Sequence, residues 1–196
     1  MKTLILDSAT NILYTALVID DHIVYESYVK GKTGHATSIM TEVEKAINTA
    51  GIELLDLNRV IVGNGPGSYT GVRMAVTVGK MITTLESKIQ LYTVSTLVLM
   101  GSAFSGRIMC SIDARRGNCF GCIYDFDSSK FIVEEQLIER NVLLENDYDN
   151  SVDENDYKVN PLVVIKLANA VEEPRCLVPN YLRDTEAERD INVKTL

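Results

Sequence analysis

The chain has 196 residues, 46% of them hydrophobic and 23% charged, with 12 Gly, 4 Pro and a net charge of -8. This length supports one core or two small lobes sharing a cleft, and the composition excludes fibrous, collagen-like and wholly disordered chains. No apolar run approaches the ~18 residues of a membrane span, and Asp7 interrupts the opening apolar run too early for a secretory signal, so the expected compartment is cytoplasmic.

In chain order, residues 3–6 predict a buried strand, followed by the polar turn 7–11. Residues 12–19 and 22–29 predict two more strands, joined at Asp20-Asp21 into an antiparallel meander. After Gly31 and Gly34 the period changes. Ile39, Met40, Val43, Ala46, Ile47 and Ala50 fall on one helical stripe that Gly51 ends. Residues 59–62 predict a strand parallel to the first. The segment from Gly63 to Gly71 then holds four glycines in nine residues and opens a second helix over about 72–85. That helix is apolar on nearly every side, so cover is needed on more than one face. Residues 89–94 predict a strand, and Ser95 the N-cap of a short helix.

Past Gly101–Gly106 the meander recurs: residues 107–112 and 119–126 flank an Asp-containing turn, and 131–138 adds a third strand. This is a repeat of topology rather than of sequence. Residues 145–158 hold six acids and one Lys and predict a solvated loop. Residues 161–171 suit a short helix, and the chain from Pro179 onward a charged, extended tail. The predicted units are therefore residues 1–103 and 104–196. Residues 1–112 carry nine acids and nine bases, whereas residues 113–196 carry eighteen acids and ten bases. Such a chain lacks the clustered Lys and Arg that phosphate contacts need, so any RNA in its function is met through a partner.

The glycine segment has the strand–loop–helix order of an anion site. It fits neither the Walker pattern nor the dinucleotide fingerprint. A tight structural turn is the simpler reading, and anion binding the alternative. Asp7 and Asp113 each close a first strand and could hold Mg²⁺ beside phosphates, although Asp is also common in turns. His22 and His35 offer no zinc pair. Of the four cysteines (Cys110, Cys119, Cys122, Cys176), Cys119 and Cys122 resemble half a metal motif, but strand alternation sends them to opposite faces, so free thiols and no metal are expected. No glycine follows Gly121, which argues against a complete nucleotide cradle in the second unit.

Four stretches in order carry a resemblance: residues 5–10 around Asp7; Gly65, Gly67, Ser68, Thr70, Gly71 and Arg73 in the glycine segment; Asp113, Arg115 and Arg116; and residues 179–183. Together they are similar to the TsaB (YeaZ) family, and His35 resembles a recurrent family position. The resemblance implies an α/β chain with the actin-like ATPase (ASKHA, ribonuclease H-like) fold, two βββαβα-type lobes, the second reduced between residues 139 and 178. It implies a non-catalytic subunit, without cofactor, of the complex that makes N6-threonylcarbamoyladenosine at position 37 of tRNAs reading codons beginning with A. The implied partners are a TsaD-type catalytic subunit bound through the first two helices, a TsaE-type ATPase, and a second copy when alone. tRNA is met only through the complex. Ile39, Met40, Val43, Ile47, Met74, Val78, Met81, Ile82 and Leu85 form the pool of interface candidates. The competing reading is a small actin-fold ATPase or kinase with Asp7 and Asp113 at a Mg-nucleotide. A zinc peptidase, a label the superfamily has attracted, would have to work with two lone histidines.

Overall fold

The computed structural model describes residues 1–31, 35–155 and 157–182, the side chains of residues 35–37 excepted. The expectations placed on Gly34, the His35 side chain, Arg183 and the tail beyond it lie outside the described residues.

Strands β1 (Lys2–Asp7), β2 (Ile12–Ile19) and β3 (His22–Lys30) form the expected antiparallel meander. Helix α1 (His35–Ala50) leads to β4 (Arg59–Gly63), which pairs parallel to β1. Helix α2 (Tyr69–Leu85) leads to β5 (Gln90–Val94), parallel to β4. Helix α3 (Thr96–Gly101) then starts at Ser95, whose side chain accepts from the Val98 N–H as an N-cap.

The second meander comprises β6 (Arg107–Arg115), β7 (Asn118–Asp125) and β8 (Lys130–Glu139). Next come α4 (Arg140–Leu144), β9 (Asn150–Asp153), α5 (Pro161–Leu167) and β10 (Asn169–Ala170). The sheet orders are β10-β5-β4-β1-β2-β3 and β8-β7-β6-β9. Each sheet thus places its fourth strand beside its first and parallel to it.

The period-2 geometry of β1 sorts its side chains. Leu4 and Leu6 join α1 and α2 in one core. Ile5 faces the opposite way, into a core shared with α3 and with Ile108, Cys110, Ile112 and Cys122 of the second sheet. Cys119 points to the other side, into a small cluster with Met109, Ile123 and Leu143.

Two expectations need correction. The acidic run contains a strand: β9 pairs parallel with β6, and Val152 and Tyr157 are buried. Its acids cap the ends of β6. Asp149 accepts from the Arg107 N–H at 2.8 Å, and Glu154 accepts from the Asp113 N–H at 3.2 Å. A four-residue strand with one buried side chain leaves almost no periodic signal. The helix expected over 161–171 also stops at Leu167, and β10 turns back to the edge of the first sheet, antiparallel to β5. The second sheet is thin: the link from β8 to β9 holds the five-residue α4 where the first sheet has the sixteen-residue α1. Beneath α4, Leu143 is buried, while Val142 and Leu144 remain exposed.

Candidate functional site

Helices α1 and α2 lie on one face of the first sheet. Gly79 permits the close approach of α2. A Cβ there would stand 2.6 Å from Val62 Cγ1 on β4. The inward stripes bury Val43, Ile47 and Ile82 in the core, so these three interface candidates face the chain's own sheet. Between the outer flanks of the helices runs an open cavity of about 470 Å³, which Ile39, Met40, Met74, Val78 and Met81 line. Met40 is 40% exposed and Met81 45%; Leu85, one turn beyond Met81, is 60% exposed. Ile39 and Val78 line the groove but are only 2% and 8% exposed, because both also pack into the core.

The sequence reading missed Tyr69 and Thr77 as lining residues and placed Thr70 and Arg73 only in a motif loop; all four line the groove. Tyr69 and Arg73 are one helical turn apart, the spacing at which side chains meet. The Arg73 guanidinium lies 5.1 Å from the Tyr69 ring centroid, and Nη1 donates to the Tyr69 hydroxyl at 3.3 Å. The other flank of α2 is covered by the chain itself: Lys80 Nζ donates to the Arg175 carbonyl at 3.1 Å, and Leu177 packs on the core. The cover that α2 needs is thus partly internal, and the groove is the side left open.

The glycine segment is filled by its own chain. Gly65, at φ +87°, faces the Asn180 carbonyl, which a Cβ would meet at 2.4 Å. Gly67 and Gly71 stand as close to the Ala9 and Ser8 carbonyls. Asn180 N–H donates to the Asn64 carbonyl at 2.8 Å, and Tyr181 stacks on Tyr69 with ring centroids 4.7 Å apart. Ser68 caps α2 by accepting from the Gly71 N–H. The glycines make room for the backbone of residues 8–9 and 180, which is the structural-turn reading.

Asp7 is buried in the same knot. Thr96 Oγ1 donates to Asp7 Oδ2 at 2.7 Å, and the Ala9 N–H donates to Oδ1 at 3.0 Å. Gly65 N–H donates in turn to Thr96 Oγ1 at 3.2 Å. Burial pushes the Asp7 carboxyl from the ordinary value of 3.8 up to about 6, against those two hydrogen bonds. The folded state therefore holds the Asp7 proton more tightly than the unfolded chain does. Its stabilising share is full below about pH 4 and is lost as pH rises through about 6. Relative to Asp7→Asn, which does not titrate, the wild type should gain about 2 kcal/mol of unfolding free energy between pH 7 and pH 4. Denaturant melts of both proteins at several pH values check this, and parallel curves would show that the folded state holds the Asp7 proton no more tightly than the unfolded chain does.

Asp113 has different surroundings. It is exposed near the end of β6, where Oδ1 accepts from the Arg115 N–H at 3.0 Å. Arg115 and Arg116 are exposed in the β6–β7 turn at φ +68° and +55°. Hydrogen bonds tie the second half of the chain to the first near these turns. Tyr157 Oη meets Thr10 Oγ1 at 3.2 Å, and the Val159 N–H donates to Tyr28 Oη at 2.9 Å. Ser95 Oγ donates to Glu135, whose second oxygen accepts from Asn180 Nδ2 at 3.3 Å. Burial raises the Glu135 carboxyl. A Mg-nucleotide, which the actin-like fold would suggest, does not fit these residues. Asp7 has its oxygens engaged inside the protein, and the glycine loop has a carbonyl where phosphate would approach.

Known proteins resemble this chain. Residues 30–159 match the family model described as TsaD, tRNA N6-adenosine threonylcarbamoyltransferase. The tRNA threonylcarbamoyladenosine biosynthesis protein TsaB of Bacillus subtilis is 32% identical over 74% of this chain. Its counterpart of the same name in Escherichia coli is 30% identical over 66%. The chain belongs to the TsaB (YeaZ) family. The matches span 63% and 57% of those two TsaB proteins, so this TsaB-family chain corresponds to somewhat over half of each. Two Pseudomonas aeruginosa structures, YeaZ and a protein described as similar to peptidase YEAZ, superpose with TM-scores of 0.75 and 0.77. They cover 92% and 93% of this chain and 99% of their own, at 19% and 18% identity, and so share its fold, which, taken together with the family model over residues 30–159, is the actin-like ASKHA fold. No described helix is long and apolar enough to cross a membrane.

Proposed function

We propose that this TsaB-family chain is a non-catalytic scaffold and activator in the formation of N6-threonylcarbamoyladenosine at position 37 of tRNA, working in the cytoplasm by pairing with a TsaD-type catalytic subunit. In this reading the unit 1–103 carries the docking face on α1 and α2. The unit 104–196 holds the reduced second lobe and a C-terminal stretch whose β10 returns to the first sheet, and a TsaE-type ATPase joins the pair. tRNA is reached through the complex. The observation that carries the reading is the open, mostly apolar groove between α1 and α2, with exposed Met40 and Met81 in its lining and exposed Leu85 one turn beyond. Exposed apolar patches of this kind mark interaction sites. The filled glycine loop and the engaged Asp7 support a subunit that leaves the chemistry to its partner.

The test is light scattering after size exclusion, on the chain alone and mixed with the TsaD-type protein of the same genome. The expected result is a 1:1 species that replaces any homodimer. A monomer that ignores the partner would overturn the reading, and stoichiometric ATP binding by the chain alone would return the ATPase to first place.

A further inference from the structure

Among the described residues that line the groove, Arg73 alone carries a charge. It is exposed, it rests on Tyr69, and its one hydrogen bond among the described residues goes to the neutral Tyr69 hydroxyl. No described carboxylate lies within ion-pair distance of it; the ion pairs formed elsewhere involve Lys2, Lys45, Arg107 and the N-terminus. A guanidinium has five N–H donors in a fixed fork, and at least four of them look to water in the free chain. A partner that covers the apolar groove removes that water. A buried guanidinium without an anionic acceptor is strongly disfavoured, and the fork matches a carboxylate with two parallel hydrogen bonds.

We propose that the surface docking in this groove is an apolar face bearing one carboxylate, Asp or Glu, that pairs with Arg73, and that this pair selects the partner. The proposal rests on the docking reading above and deepens it. Tyr69 holds the guanidinium over its ring, and Tyr181 stacks against Tyr69, so the cation is positioned before the partner arrives. The lining residues of the groove include no acid. The lining of a second copy would offer Arg73 no carboxylate, so the same residue favours a partner that carries one within its docking face.

Three variants test this by titration against the TsaD-type protein of the same genome at low and high salt, with self-association of each chain measured in parallel. Arg73→Gln should weaken pairing at least about tenfold at low salt, with Arg73→Lys in between, because lysine keeps the charge but loses the fork. Added salt should narrow the gap between wild type and Arg73→Gln. Self-association of Arg73→Gln should not weaken. Wild-type affinity and salt dependence in Arg73→Gln, with Met81→Asp unable to pair, would discard the carboxylate and keep the docking groove. Equal weakening of self-association would assign the carboxylate to a second copy and overturn the selection. Normal pairing by Met81→Asp would remove the groove itself.

Discussion

Gly63→Ala is expected to destabilise the protein by about 3 kcal/mol or more, the upper end of what overpacking costs a core. A Cβ at residue 63 would stand 1.6 Å from Asp7 Oδ2 and 2.6 Å from its Cγ. The carboxylate has nowhere to go. It is buried, and Thr96 and the Ala9 N–H hold its two oxygens. For a chain of this size the melting temperature should fall by roughly 10 °C. The informative companion is the double variant Asp7→Ala/Gly63→Ala. Removing the carboxylate opens the space that the new methyl needs, so the two costs should combine to clearly less than their sum. Thermal and denaturant melts of the four proteins measure the coupling. A Gly63→Ala protein as stable as wild type would mean that the Asp7 side chain is free to leave its pocket, and the case for a structural Asp7 would fall with it.

Met81→Asp is expected to leave folding nearly unchanged and to weaken pairing with the TsaD-type protein about 100-fold or more. Met81 is 45% exposed on α2, and substitutions at such positions usually shift stability by less than about 0.5 kcal/mol. In a covered groove the same carboxylate would be buried and unpaired, a change that costs about 3–5 kcal/mol. Val78→Asp is a poorer probe, since Val78 also packs into the core and a charge there would harm folding and docking together. The control is Ile132→Asp on β8, an equally exposed apolar position in the second sheet. Unchanged pairing by Met81→Asp, or an equal loss with Ile132→Asp, would move the docking face off α1 and α2.

Much of the fold is visible in local patterns. The meanders show as alternating runs closed by polar turns, and α1 shows as an apolar stripe of period 3.6 ending at Gly51. The motif residues are equally visible: Asp7, the Gly65–Arg73 segment and the Asp113–Arg116 turn are strings of adjacent residues. Their roles are less visible. Gly65 could have faced a phosphate or a carbonyl, and both need the same missing Cβ. Nothing near Gly65 in the chain announces Asn180, 115 positions away, as its neighbour. β9 and β10 escaped for a related reason. Each is short, and each is held by a pairing partner distant in sequence, β6 and β5 respectively.

The amino-acid order by itself determined the family, the two meanders, the elements from α1 to α3, the thin second lobe and the excess of apolar surface on α2. These depend on interactions within one helix, one hairpin or one motif, where spacing in the chain is spacing in space. The tertiary structure decided which apolar positions of α1 and α2 are spent on the chain's own sheet and which stay open. It also decided that residues 174–182 cover one flank of α2 and the glycine loop, and that Asp7 is a buried structural carboxyl. These outcomes depend on which distant segments compete for one surface, and burial and close approach are properties of the assembled chain.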